Sequence, residues 1–216
     1  MIVGERKPIG EIIGNLKAFQ SVLILACGTC VTVCMSGGEK EARELAALLC
    51  LKGFTAQARV IERQCEPEFN LLLQEEIASY EVLLSLACGI GVQVLADGFP
   101  GKSVLPGLNT TFMGAPIRQG VWEERCSGCG DCTVHHFGNV CPITRCAKSL
   151  LNGPCGGSKG GKCEVKPERD CAWQLIYDRM NAQGRLEELL SIQPPKNWSS
   201  SRYGGQRKMF REDVTL

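Results

Sequence analysis

The sequence predicts an α/β protein: a Rossmann-like open parallel sheet in the N-terminal half, followed by a small cysteine-rich module and a C-terminal helix. Three observations carry this. Short apolar runs alternate with stretches of helical periodicity between residues 22 and 106. Two of those runs end in the same tetrapeptide, Leu-Ala-Cys-Gly, at 25–28 and 86–89. Beyond residue 125 bulky apolar residues thin out while cysteine and glycine multiply.

The elements follow in order. Val22–Ala26 is an unbroken apolar run that stops at Cys27-Gly28, the pattern of a strand buried on both faces. After Gly37-Gly38, Ala42, Leu45, Ala46 and Leu49 recur at helical spacing. TAQARVI, ending near Cys65, alternates as a strand does. A helix is expected from Pro67, with Phe69, Leu72, Leu73 and Ile77 on one face. EVLLSLA is a third strand ending at Cys88-Gly89, and KSVLP a shorter fourth. Residues 168–190 form the closing helix, with Trp173, Ile176, Tyr177 and Met180 on its apolar face. The organisation expected is a Rossmann-like domain over 1–120, a cysteine-rich domain with its capping helix over 121–192, and a flexible or partner-docking tail over 193–216.

Charge and apolar pattern exclude whole classes of function. The chain's 216 residues hold 24 basic and 23 acidic side chains, and no run of either sign follows a phosphate backbone, so no nucleic-acid partner is expected. VLILA is far too short to cross a bilayer, and the N-terminal MIVGERKPIGEIIG lacks the order of a secretory signal. A cytoplasmic protein with no membrane partner is the expectation. Fourteen cysteines call either for disulfides or for metal. In the cytosol thiols stay reduced, so CxxC groups point to metal.

The N-terminal thiols sit where an open parallel sheet binds its ligands, outside the carboxyl ends of the strands. Cys27, Cys65 and Cys88 follow three strands, and Cys30 and Cys34 lie in the first loop. Five thiols meet a site that needs four, and Cys27, nearest its strand, is the first candidate for the spare. Cys50, one turn after Ala46, is read as a packed helix residue. Gly89-Ile90-Gly91 is half a dinucleotide fingerprint, but Val94 stands in the place of its third glycine, so no nucleotide site is assigned.

The C-terminal thiols are spaced for iron-sulfur chemistry. Cys126, Cys129 and Cys132 lie at two-residue intervals, and Cys141-Pro142 follows after eight residues. Structural zinc favours two separated CxxC pairs. Three cysteines at this interval followed by Cys-Pro is the bacterial ferredoxin pattern, which has three residues in the last gap. The longer gap leaves Cys141 either closing this cluster or opening the next. Cys146, Cys155, Cys163 and Cys171 complete eight ligands, or two sets of four. His135 and His136, inside the gap, are read as an exposed pair or as donors around a cluster. No catalytic role is assigned to any residue. Setting aside Cys50 and one spare leaves twelve thiols, which suits three 4Fe-4S clusters, or two with zinc at one site. A segment with so few apolar residues draws its folding energy from metal ligation.

CGTCVTVC with SLACGIGVQ, and above all CPITRCAKSLLNGPCGG followed by GKCEV and CAWQLIYDRM, resemble the methylenetetrahydrofolate reductase C-terminal domain family. Within it they are similar to the small iron-sulfur subunit that accompanies the flavin-bearing catalytic subunit in acetogenic bacteria. The resemblance covers roughly 1–190. It implies an electron-transfer subunit of the acetyl-CoA pathway, with two partners: the flavin-containing methylenetetrahydrofolate reductase catalytic subunit and an upstream iron-sulfur or flavin donor. Electrons would pass to the partner's flavin, which reduces methylenetetrahydrofolate to methyltetrahydrofolate. The alternatives are a zinc-binding structural adaptor that docks the flavoprotein, and an enzyme in its own right using the spare thiol.

Overall fold

The computed structural model describes residues 1–201, 205–209, 211 and 213. The parts of the tail at 202–204, 210, 212 and 214–216 lie outside the described residues. The chain divides into two compact units, Met1–Glu123 and Glu124–Leu216.

In chain order the first unit contains β1 (Ile2–Arg6), α1 (Ile9–Leu16), β2 (Ser21–Cys27), α2 (Cys30–Val33), α3 (Glu39–Leu51), β3 (Thr55–Ile61), α4 (Pro67–Leu71), α5 (Gln74–Ala78), β4 (Val82–Leu86), α6 (Gly89–Gly98), β5 (Ser103–Pro106), β6 (Leu108–Arg118) and β7 (Val121–Cys126), whose last residues enter the second unit. Four strands make a wholly parallel sheet in the order β3-β2-β4-β5. The second of these four strands in sequence, β3, lies outermost, so the order reverses between β2 and β4. β2 is buried along almost its whole length because both faces are covered. Val22, Ile24 and Ala26 pack with Leu16, Ala42 and Leu49 on one side. Leu23 and Leu25 pack with Ile77, Leu83 and Leu95 on the other.

The loop after β2 is locked by contact and capping. A Cβ on Gly37 would stand 2.1 Å from the Leu86 carbonyl oxygen, so only glycine lets the loop cross the end of β4. The Gly38 N–H then donates to the Glu41 carboxylate at 2.9 Å, opening α3 with two acids in its first turn.

Three features depart from the sequence reading. The helix expected from Pro67 is two short helices, α4 and α5; Ile77 is buried as expected, but Leu72 falls in the break and is 78% exposed. Cys50 is exposed rather than packed, its Sγ donating to the Ala56 carbonyl at 3.4 Å. A second sheet, β1-β6-β7, with β1 antiparallel to β6, was not expected at all. Its strands are largely exposed and carry no sustained apolar alternation for a sequence pattern to catch.

The second unit has little regular structure: a 3-10 turn at Val134–Phe137, α7 (Pro142–Arg145), α8 (Ala172–Ala182) and a 3-10 turn at Leu186–Leu190. Its core is small, with Phe137, Val140, Trp173, Ile176 and Met180 buried. Phe137 meets Trp173 edge to face at 5.8 Å, and the indole N–H donates to the Leu150 carbonyl at 3.0 Å. The helix expected over 168–190 is shorter, ending before Gly184 with its φ of 67°, and Tyr177 is half exposed rather than on the packed face. Among the described residues no helix is long and apolar enough to cross a membrane.

Candidate metal centres

Chain topology sets three of the N-terminal thiols, Cys27, Cys65 and Cys88, at one end of the parallel sheet. Cys27 ends β2 and Cys88 follows β4, and these are the neighbours between which the strand order reverses. That reversal opens a crevice outside the strand ends. Cys65 reaches it from the segment after β3. Its neighbour Gln64 is wholly buried, donating from Nε2 to the carbonyls of Leu25 at 2.8 Å and Ala26 at 3.0 Å, and accepting from the Ser85 hydroxyl at 2.6 Å. The Asn70 side chain in turn donates to the Gln64 carbonyl at 3.0 Å. One glutamine thus fastens the Cys65 segment to the ends of β2 and β4.

The electrostatics record the convergence. Desolvation raises the Cys65 thiol above the ordinary cysteine value; the Cys27 and Cys88 thiolates and Glu66 push the same way, against a backbone hydrogen bond that lowers it. Cys27 is buried, with its Sγ 3.5 Å from Thr29 Oγ1, and Cys30 is half-buried at the start of α2. Cys34 has other partners. It is buried in the core, with Sγ 3.1 Å from Ser36 Oγ and accepting from the Gly4 N–H at 3.5 Å.

In the second unit the Cys126–Cys132 loop turns on Gly128 and Gly130, at φ 63° and 90°. The Gly128 N–H donates to Cys126 Sγ at 3.3 Å, a main-chain bond of the kind that stabilises negative charge on sulfur. Cys141 opens α7, and its thiol lies 3.6 Å from Thr144 Oγ1, which reaches Ser127 Oγ at 3.4 Å. Thr144 therefore ties the Cys141 end to the loop that carries Cys126. Residues 193–201 lie over the same loop. Lys196, 2% exposed, pairs with the Asp131 carboxylate at 3.3 Å and also donates to the Asp131 carbonyl, and a Cβ on Gly130 would stand 2.5 Å from Ser200 Oγ.

The four later cysteines line one narrow pocket: Cys146, Cys155, Cys163 and Cys171, with Lys148 and Glu164 beside them. Sequence distances between them run from eight to twenty-five residues, so the convergence is tertiary. It is built by the Gly-rich hairpin in which Lys159 bridges Lys162 and Lys162 bridges Asp170. Cys155 donates to Glu164 Oε1 at 3.2 Å, and Glu164 also takes a short contact from Lys148. Lys148 and the Cys155 bond hold the Glu164 carboxyl below the ordinary carboxylate range, and Glu164 raises Lys148. A pocket walled by four thiols suits a thiolate-bound cluster. Among the described residues no three His, Cys, Asp or Glu side chains already form a grouping for a single metal ion.

The His135 and His136 rings lie with centroids 3.9 Å apart, tilted by 41°, within their 3-10 turn, and the His135 carbonyl accepts from Arg185 at 3.2 Å. Gln64, Thr144 and the Lys148-Glu164 pair were not singled out in the sequence. No motif marks them, since each acts through tertiary contact. A separate pocket of about 310 Å³ in the first unit, lined by Arg6, Lys7, Ile12, Glu41, Glu44 and Leu48, has no cysteine in its wall.

No curated protein matches the chain, and neither does any solved structure. A family comparison does match, over a little under half of the chain, and its span takes in all eight C-terminal cysteines. Residues 105–199 are similar to the family described as methylene-tetrahydrofolate reductase C terminal.

Proposed function

We propose that the chain is the electron-transfer iron-sulfur subunit of a methylenetetrahydrofolate reductase complex, passing electrons to the flavin of the catalytic subunit, which reduces methylenetetrahydrofolate to methyltetrahydrofolate. The observation that carries this reading is the single pocket walled by Cys146, Cys155, Cys163 and Cys171 inside the segment matched to that reductase family. Thiolate-bound clusters move single electrons, at potentials set by nearby charge, burial and hydrogen bonds to sulfur, and a flavin accepts electrons singly. On this reading the pocket set holds one 4Fe-4S cluster. Cys126, Cys129, Cys132 and Cys141 hold another, with Thr144 and Ser127 joining the two parts of that set across the long gap.

The residues around the sulfurs suit this role. The Gly128 N–H supports charge on Cys126, and Lys148 offsets the carboxylate of Glu164 next to Cys155. The test is anaerobic mixing of the reduced chain with a flavin-bearing methylenetetrahydrofolate reductase subunit in a stopped-flow spectrometer. Flavin bleaching at a rate that depends on the chain's concentration is expected. A flavin that stays oxidised, with the two proteins bound to each other, would favour the zinc-adaptor alternative.

A further inference from the structure

The first unit holds a thiol cluster that lies outside the matched span of 105–199 and that electron transfer through the C-terminal thiols does not use. Its members come from different elements: Cys27 from the end of β2, Cys30 from the first turn of α2, Cys65 from the segment after β3, and Cys88 from the N-terminal boundary of α6. Their elements place them around the reversal point of the parallel sheet, outside the strand ends where an open sheet takes its ligand.

The surrounding structure fixes that meeting. Gln64 uses both ends of its amide on the last residues of β2 and on Ser85 of β4. α6 packs on it so closely that a Cβ on Gly91 would stand 3.0 Å from the Gln64 Cβ and 2.8 Å from the Ala87 Cβ. On the other strand, a Cβ on Gly28 would stand 3.2 Å from the Glu62 carbonyl oxygen, which presses the turn carrying Cys27 and Cys30 against the segment leading to Cys65. The Gly89 N–H is held by Thr110 Oγ1 at 2.8 Å, which sets the start of α6 beside Cys88. A buried polar node of this kind is costly unless fully satisfied. Here the Gln64 amide and the Ser85 hydroxyl have their partners, and their effect is to tie the Cys65 segment to the ends of β2 and β4 beside the thiols.

We propose that the first unit carries its own thiophilic metal centre, bound by Cys27, Cys30, Cys65 and Cys88 and positioned by Gln64. Cys34 is the thiol left over, because its sulfur is already engaged by Ser36 and by Gly4 of β1. The proposal thus differs from the sequence reading, in which Cys27 is the first candidate for the spare. Binding is ligand exchange: zinc, or a preformed cluster, gives up its carrier's ligands for four sulfurs, and the thiol protons pass to solvent. No electron balance is involved, whether the metal is an iron-sulfur cluster or zinc. The proposal does not depend on the C-terminal clusters.

The test uses the full chain, prepared anaerobically, with iron, acid-labile sulfide and zinc measured per chain. Cys65→Ser and Cys88→Ser should each lower the content by one centre: about four irons with four sulfides if it is a cluster, or about one zinc. Cys34→Ser and Cys50→Ser should leave the content unchanged. The EPR signals of the C-terminal unit, lost in Cys129→Ser and Cys163→Ser, should persist in the Cys65 and Cys88 variants, so failure here is separable from failure of the electron-transfer reading. Cys65 is exposed, and its serine variant should keep the wild-type circular dichroism. Metal content equal to wild type in folded Cys65→Ser and Cys88→Ser would overturn the proposal, as would loss of the centre in Cys34→Ser with retention in Cys65→Ser.

Discussion

Gln64 accepts a hydrogen bond from the Ser85 hydroxyl at 2.6 Å while its amide nitrogen donates to the ends of β2, so one buried side chain joins three neighbouring strand ends. Gln64→Leu keeps much of the volume and removes all three bonds. The Ser85 hydroxyl, itself wholly buried, is left without this partner. The expected loss of stability is about 2–3 kcal/mol, at the cost of leaving buried polar groups unpaired. Urea unfolding of the protein should show it as a lower midpoint with little change in slope.

Gly91 lies inside α6, where alanine would ordinarily gain about 1 kcal/mol in helix propensity. The contacts at 2.8 Å and 3.0 Å to Ala87 and Gln64 oppose that gain, because neither Cβ can swing aside. Overpacking of this kind costs about 1–3 kcal/mol. Gly91→Ala should therefore destabilise the protein, whereas Gly98→Ala in the same helix, with open space around it, should not. Paired thermal melts of the two variants check the difference in sign.

How much of this was legible in the sequence differs between the two units. The parallel sheet was legible because β2 and β4 are buried on both faces and therefore read as unbroken apolar runs. The repeated Leu-Ala-Cys-Gly marked the strand ends, and the structure sets Cys27 at the end of β2 and Cys88 just beyond the adjacent β4. Gln64 was not legible, since a lone glutamine in a loop resembles any solvated one until its partners, far along the chain in sequence, are known. In the second unit the CxxCxxC spacing was plain, but the grouping of Cys146 with Cys155, Cys163 and Cys171 depends on a glycine-rich hairpin that has no periodicity to read.

The Lys196 side chain is covered, while Asp131, its partner, is exposed on the Cys126–Cys132 loop. Lys196→Met removes the ion pair and the tie to the Asp131 carbonyl while keeping the apolar stem. The loop should then open more often. The measurement is the rate of iron loss to a chelator, which should rise several-fold, by roughly 3–10-fold for a loss of about 1 kcal/mol. Lys17→Met, exposed in the first unit, should leave it unchanged.

Lys148 lies beside Cys155 and neutralises Glu164. Lys148→Met removes a positive charge next to the pocket sulfurs and leaves the carboxylate in place. Adding an electron there becomes harder, so the midpoint potential of that cluster should fall by on the order of 50 mV. Glu164→Gln should move it in the opposite direction. A redox titration followed by EPR reads both shifts, and the signal lost in Cys129→Ser should not move in either variant.

The most direct measurement of the central claim is the EPR spectrum of the anaerobically prepared protein after reduction with dithionite. The account predicts fast-relaxing signals of reduced 4Fe-4S clusters from two C-terminal sites, one abolished by Cys129→Ser and the other by Cys163→Ser. A colourless protein that contains zinc but no acid-labile sulfide, and gives no signal on reduction, would contradict it.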